Sequence, residues 1–163
     1  ANAAGNARDA VIVDIDGDSL PEVMFANTLG GDDFFYRNHG HTWKDMGFSF
    51  YPTAATPRLM GSGTLAPSST VTYDLQAGPA GAAGFMVAGF NTIFAPFKGG
   101  TLVPAPDIVV PGFATNGSGA LHFTMGFPAG VPAGLSLFHQ MWFLEPSAST
   151  GFGASNALSA ITP

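Results

Sequence analysis

The sequence predicts an all-β protein: an antiparallel β-sandwich preceded by a separate β-hairpin. Three observations predict this fold class. Glycine and proline, 22 and 13 of the 163 residues, divide the chain into short apolar runs, which is the pattern of strands and turns. Hydrophobic residues make up 46% of the chain, enough for a core, and the 15 phenylalanines argue against a disordered chain. No long stretch repeats its apolar residues with the period of a helix.

The first predicted element is a hairpin whose loop is rich in carboxylates. Apolar runs at residues 11–13 and 23–25 are the predicted strands, and Gly17 lies in the loop between them. The acidic side chains of this segment are Asp14, Asp16, Asp18 and Glu22. Calcium takes about six to eight oxygen ligands, and like charges this close repel one another unless a cation neutralises them. We therefore predict a Ca²⁺ site here; the alternative is a solvated acidic turn without metal.

Residues 7–48 resemble the calcium-binding hairpin of FG-GAP/VCBS repeats, which occur in integrin-like propellers and in many secreted bacterial proteins. The resemblance rests on DAVIVDIDGDSLPEVMFAN at residues 9–27 and on FYRNHG at residues 35–40. It implies side-chain oxygen ligands from Asp14, Asp16, Asp18 and Glu22, and a backbone carbonyl ligand from Leu20. Glu22 stands where the family usually has aspartate. Because a propeller blade needs neighbours and the motif occurs once, the chain is not predicted to form a propeller by itself.

Charge divides the chain into two predicted regions. Residues 1–58 form an acidic, FG-GAP-like hairpin region, and residues 59–163 form the β-sandwich domain. The charged residues of the second region are Asp74, Lys98, Asp107 and Glu145. A surface so poor in charge is either kept soluble by uncharged polar groups or covered by another molecule, and extended apolar surface usually marks an interaction site. This distribution predicts self-association.

Turn signals divide the second region into about seven or eight short strands, a spacing typical of a sandwich. The apolar runs that predict them are residues 70–75, 84–90, 102–103, 108–110, 111–115, 120–127, 135–144 and 154–161. Pro104 and Pro106 lie between the runs at 102–103 and 108–110, so the strand that these runs would form is interrupted or lies at a sheet edge. The NGSG sequence at residues 116–119 predicts a hairpin turn that joins the two flanking strands.

Residues 61–162 also resemble a C-terminal β-domain of secreted proteins from planctomycetes and related bacteria, which often follows FG-GAP-type repeats. The matching segments are GSGTLAP at 61–67, PFKGGTLVP at 96–104, PAGVPAG at 128–134 and SNAL at 155–158. This resemblance implies an extracellular accessory or structural module and transfers no catalytic residue.

The composition argues against several functions. A net charge of −6 with five basic residues disfavours nucleic-acid binding. The absence of cysteine removes disulfides and thiolate catalysis. No apolar run is long enough for a transmembrane helix. A hydrolase needs a nucleophile with its base, or paired carboxylates in a cleft, and the sequence shows neither, so no enzymatic activity is predicted.

Histidines and aromatic residues are the other candidates for function. His39 and His41 are interpreted as turn residues. His139 is predicted to be buried or at an interface with a hydrogen-bond partner, and strand alternation places it on the opposite face from Trp142. Trp43 and Trp142 are candidates for stacking on a sugar; the alternative is core packing. Asn116 begins an Asn-Gly-Ser glycosylation sequon.

Together these expectations predict an extracellular, non-enzymatic structural protein of bacterial origin. It is a calcium-stabilised β subunit that self-associates as a homo-oligomer or filament, by a repeated heterologous contact or by addition of a strand to a neighbour's sheet. The alternative function is a glycan-binding or adhesion module of a larger secreted protein, with a surface glycan as its partner.

Overall fold

The structure is a computed structural model that describes residues 7–13, 22–27, 34–36, 42–51 and 56–163. Every regular element in these ranges is a β-strand, which confirms the predicted all-β fold class. The strands are β1 (Ala7–Val13), β2 (Glu22–Asn27), β3 (Phe34–Tyr36), β4 (Trp43–Gly47), β5 (Arg58–Ser62), β6 (Thr70–Gln76), β7 (Ala83–Gly89), β8 (Thr92–Phe97), β9 (Gly100–Pro104), β10 (Ile108–Ala114), β11 (Leu121–Gly126), β12 (Ser136–Leu144), β13 (Phe152–Ala154) and β14 (Ala157–Ile161). The chain divides into two compact units, Ala1–Gly40 and His41–Pro163.

The first unit contains a three-stranded antiparallel sheet in the order β1-β2-β3. Val13 at the end of β1 pairs with Glu22 at the start of β2, so the predicted strands on both sides of the acidic segment do form and do pair. Val11, Ile12 and Val13 are all exposed. Strand β1 therefore presents apolar side chains to solvent from both faces, because successive side chains of a strand point to opposite faces.

The second unit is built on two antiparallel sheets. The larger has the order β10-β7-β12-β14-β4, with β13 also paired to β12, and the smaller has the order β11-β6-β5. A core lies between them, and its largest buried members are Tyr73, Phe143, Leu59, Leu65, Leu75 and Met141. Strand β6 alternates between buried and less buried residues, as expected of a sheet with one face on the core. This arrangement agrees with the predicted sandwich.

A third layer covers the other face of the larger sheet. Strands β8 and β9 pair only with each other among the described strands, and they pack against β12. A second core lies beneath them, with Leu102 from β9 against Trp142 from β12. Strand β12 therefore has a covered surface on both sides, which is why its residues are buried without interruption from His139 to Phe143.

Two buried amide side chains join the layers. The carboxamide of Asn156 accepts a hydrogen bond from the Leu59 backbone N–H at 2.6 Å and donates one to the Leu59 carbonyl oxygen at 3.1 Å. The carboxamide of Gln140 accepts from the Val103 N–H at 3.1 Å and donates to the Thr101 carbonyl oxygen at 3.1 Å. Asn156 therefore ties the smaller sheet to the start of β14, and Gln140 ties β9 to the centre of β12.

The prediction of a hairpin at residues 116–119 was wrong. The turn itself forms, since the Gly119 N–H donates to the Asn116 carbonyl oxygen at 3.0 Å, and Gly119 has a φ of +74°. However, β10 pairs with β7 in the larger sheet and β11 pairs with β6 in the smaller one. The buried Thr115 hydroxyl, which donates to the Pro79 carbonyl oxygen and accepts from the Ala82 N–H, holds the chain where it leaves the larger sheet. The turn is thus a crossover between the sheets.

Residues before position 58 also belong to the sandwich unit. Strand β4 pairs with β14, and Phe50 forms an isolated bridge with Ala154. The sequence-based division at residues 58 and 59 had placed both segments in the acidic region. Hydrogen bonding therefore joins part of that region to the last strands of the chain.

Candidate functional site

The outer edge of β10 is the feature of the sandwich unit that best fits an interaction surface. Strand β10 ends the larger sheet, and no described strand pairs with its outer side. Ile108 and Val109 are 48% and 52% exposed. Their partners on β7, Ala88 and Val87, are buried. The apolar surface of the sheet therefore extends from buried residues of β7 to exposed residues of β10. An unpaired apolar edge is a template for pairing with another strand.

The open part of this edge is short. A β-bulge lies between Pro111 and Phe113, and Gly112 within it has a φ of +90°. Proline offers no backbone N–H, and a bulge bends the strand away from further pairing. Regular pairing with a second molecule is therefore available at Ile108–Val110 and stops at Pro111.

The opposite edge of the same sheet is protected by charge. Strand β4 ends the sheet on that side, and Lys44 and Asp45 on it are both exposed. Charged side chains on an edge strand disfavour pairing with another chain, because pairing would remove them from water. The two edges therefore differ, and the β10 edge is the one open to association.

A second exposed apolar patch involves Phe48 and Phe94. Their ring centroids lie 5.3 Å apart, and both residues have a positive φ, +66° and +47°. Such a φ is uncommon for a bulky side chain and persists only where the surrounding structure holds it. With the exposed Ile93 beside Phe94 in sequence, this patch adds to the apolar surface of the unit.

The predicted calcium ligands Asp14, Asp16, Asp18 and Leu20 lie outside the described residues, as do His39 and His41. Of the predicted ligand set, only Glu22 has a described backbone position, at the start of β2. Within the described ranges no group of three or more histidine, aspartate or glutamate side chains is placed to hold a metal ion. The calcium site therefore stays a prediction.

The structure places both tryptophans in packed surroundings. Trp142 is 0% exposed, and its ring contacts that of Phe97 edge-on at a centroid distance of 4.9 Å. Trp43 is half-buried, packs edge-on against Tyr73 at 5.4 Å and donates its indole N–H to the Gly63 carbonyl oxygen at 2.9 Å. Trp142 thus has no exposed ring face, and Trp43 packs against the core; a role of Trp43 in sugar binding stays a prediction.

Asn116 is exposed, and its side-chain oxygen accepts hydrogen bonds from the backbone N–H groups of Ser118 and Ala120. Its modification stays a prediction.

The carboxylates of Asp74 and Glu145 have separate partners. Oδ1 of Asp74 lies 2.6 Å from Nδ1 of His122 on the neighbouring strand, and both side chains are at the surface. Glu145 accepts from Tyr51 and Ser147, and these hydrogen bonds, that of Ser147 first, lower its pKa.

His139 is buried, as predicted, with 6% of its surface exposed. However, within the described part of the chain one ring nitrogen lacks the hydrogen-bond partner that the sequence predicted. Its Nδ1 makes no hydrogen bond to any described residue. The ring instead lies among aromatic groups, 5.4 Å from Trp43 and 5.5 Å from Tyr73 between centroids. Burial lowers the pKa of His139 to about 4, so the imidazole is neutral at physiological pH. Burial likewise raises the pKa of the Tyr73 hydroxyl above its usual range.

Comparisons with known proteins leave the family of the chain open. No family model matches the sequence, and no curated protein matches it. Among solved structures, the chain is similar to the soluble domain of PmoD from Methylocystis sp. (Rockwell), with 7% sequence identity and a TM-score of 0.40. The match covers 72% of this chain and 98% of that one. A likeness at this level carries no argument about function. No helix long and apolar enough to cross a membrane occurs in the described ranges.

Proposed function

We propose that the protein is a non-enzymatic structural subunit that self-associates outside the cell. The β10 edge is the surface through which copies of the chain meet, and calcium stabilises the acidic hairpin of the first unit. The observation that carries this proposal is the asymmetry of the larger sheet, which has charged residues on β4 and exposed Ile108 and Val109 on the unpaired edge of β10.

The size of the edge sets the expected strength of association. Full burial of a valine or isoleucine side chain contributes about 1.5–3 kcal/mol, and these two side chains are already about half buried. Each therefore gains about 1 kcal/mol on pairing, to which the backbone hydrogen bonds of a short strand segment add. We expect association at this edge to be weak and to rise steeply with protein concentration.

The first unit supports the same proposal independently. Its β1 strand lies at the edge of the three-stranded sheet and exposes Val11, Ile12 and Val13 in succession. A contact between unlike surfaces that repeats without closing produces a filament. The extracellular location follows from the proposed metal, because weak calcium sites are filled only where the ion is abundant.

The test introduces one charge at the edge. Val109→Lys places an ammonium group where a second strand would cover it, whereas Leu144→Lys places the same group on an interior strand of the sheet at a residue that is 48% exposed. Sedimentation velocity over a range of concentrations, with calcium present, measures association. We expect wild type and Leu144→Lys to form larger species together and Val109→Lys to remain smaller. A wild type that stays monomeric at every concentration, or two variants that behave alike, contradicts the proposal.

A further inference from the structure

A cavity of about 480 Å³ lies between the two sheets of the sandwich unit. Its walls come from β6, β7, β10, β11 and β12, and from the segment that joins β11 to β12, which contributes Pro128 and Pro132. Cavities of about 300–1,000 Å³ are typical of sites for small molecules. The space is therefore large enough for a ligand.

The lining of this cavity is almost entirely apolar. Methionines from both sheets contribute to it, Met86 from β7 and Met125 from β11. Methionine side chains adapt to irregular apolar shapes. No lysine, arginine, aspartate or glutamate lines the cavity within the described part of the chain. A charged ligand would find no counter-charge there, so the walls select a neutral, apolar molecule.

His139 and Tyr73 are the lining residues whose side chains carry polar groups. His139 is more than nine-tenths buried, and its Nδ1 has no hydrogen-bond partner among the described residues. Buried polar atoms in folded proteins are nearly always paired, so an imidazole with an unpaired nitrogen on a residue that lines a cavity points to a partner that enters from outside. The chemistry of that partner follows from the imidazole, which in its neutral form donates from one nitrogen and accepts at the other.

We propose that this cavity binds a neutral, mainly aliphatic small molecule whose hydroxyl group hydrogen-bonds to the His139 imidazole. A hydroxyl both donates and accepts, so it pairs with either tautomer of the ring. The aliphatic part lies between the methionines and the prolines of the walls. A peptide segment from another chain fits less well, because its backbone N–H and C=O groups would be unpaired against apolar walls.

The test compares two probes of similar size, 1-hexanol, which has a hydroxyl, and 1-chlorohexane, which has none. Their dissociation constants are measured by NMR titration on the intact chain. Replacing the imidazole in His139→Leu should reduce the preference for 1-hexanol over 1-chlorohexane about tenfold, the effect of one hydrogen bond to a buried group. An unchanged preference overturns the proposal.

A second pair of variants tests the location. Ala88→Phe adds a large ring at a buried residue that lines the cavity, and it should abolish binding of both probes. Ala83→Phe adds the same ring at an exposed residue of the same strand that does not line it, and it should bind them as wild type does. If His139→Leu fails to fold, the ¹⁵N shift of the wild-type imidazole on saturation with 1-hexanol decides: a shift supports the hydrogen bond, and none overturns it.

The proposal is also overturned if neither probe binds. If, in addition, Ala88→Phe prevents self-association, a second copy of the chain occupies the cavity. The proposal goes beyond the proposed assembly function and is tested apart from it, since Val109 does not line the cavity and Val109→Lys leaves the binding assay intact.

Discussion

Burial of a neutral histidine makes the stability of the sandwich unit depend on pH. The pKa of His139 is about 4 in the folded protein, against an ordinary value of about 6.5. Between these values the unfolded chain binds a proton at this residue and the folded protein does not, so the free energy of unfolding decreases as the pH falls through this range. The contribution is fully present above pH 6.5 and is lost by pH 4.

The magnitude follows from the difference between the two pKa values. One pKa unit corresponds to about 1.4 kcal/mol, so the full difference corresponds to about 3 kcal/mol and the part lost between pH 7 and pH 5 to about 2 kcal/mol. The titratable group in ring contact with His139 is Tyr73, whose pKa is raised and which stays neutral throughout this range. The loss is therefore assigned to the imidazole.

The assay is urea unfolding at pH 7 and at pH 5, followed by tryptophan fluorescence. Both tryptophans, Trp43 and Trp142, belong to the second unit, so the signal reports the sandwich. The matched variant is His139→Leu, which has no proton to bind at this position. We expect the free energy of unfolding of wild type to fall by about 2 kcal/mol more than that of the variant over this interval. Equal losses in the two proteins would refute the assignment of a neutral, buried imidazole.

Three further perturbations follow from the structure and the sequence. Gln140→Leu leaves the Val103 N–H and the carbonyl oxygens that Gln140 contacts without partners, and should lower the free energy of unfolding in urea by about 1–3 kcal/mol. Gly61→Ala brings a Cβ atom within 2.3 Å of the Trp43 ring, and should cost about 1–3 kcal/mol, whereas Gly126→Ala, which meets nothing within 4 Å, should not. Removing calcium with a chelator should lower the melting temperature of wild type, because a ligand bound only by the folded state stabilises it, and should leave Asp16→Ala unaffected. A wild type indifferent to the chelator would argue for a metal-free loop.

The strands of this protein were predictable where local pattern decides them. Alternation in β6 and the apolar run of β7 predicted these strands to within about one residue, because their burial follows from one or two covered faces. The hairpin of β1 and β2 was predicted from apolar runs on both sides of a turn-forming segment, and the pairing of Val13 with Glu22 confirms it. In each case the residues that fix the element lie within the element itself.

The pairing partners were not predictable in the same way. The turn at residues 116–119 carries a hairpin sequence, and its hydrogen bonds form, yet the strands beside it enter different sheets. Contacts with a distant segment hold the chain here, among them those of the Thr115 hydroxyl with Pro79 and Ala82. A contact across this sequence distance leaves no mark on the local pattern. The same holds for β4, whose partner is the last strand of the chain.

The cavity could not be predicted from the sequence, for a related reason. Alternation placed His139 correctly on the face opposite Trp142, and burial was predicted, but a hydrogen-bond partner was expected from the rule that buried polar groups are paired. The structure instead leaves Nδ1 of His139 without a partner among the described residues, and it has a gap between the two sheets that Ile108 and Val110 of β10 also line.

The layered architecture connects that gap to the proposed assembly surface. Strand β12 is covered on both faces, and on the far face the cover is the hairpin of β8 and β9. At β10 the cover ends on both faces, so Ile108 lines the cavity while its neighbour Val109 is exposed on the other face of the same edge. Because alternate residues of β10 face the two surfaces, we expect a change at Val109 to perturb the proposed association without filling the cavity. A change at Ala88 on β7, which pairs with Ile108 and lines the cavity, is expected to do the reverse. Coupling between the two sites would therefore have to pass through the backbone of β10, and a 1-hexanol titration that shifts the association constant of wild type would reveal it.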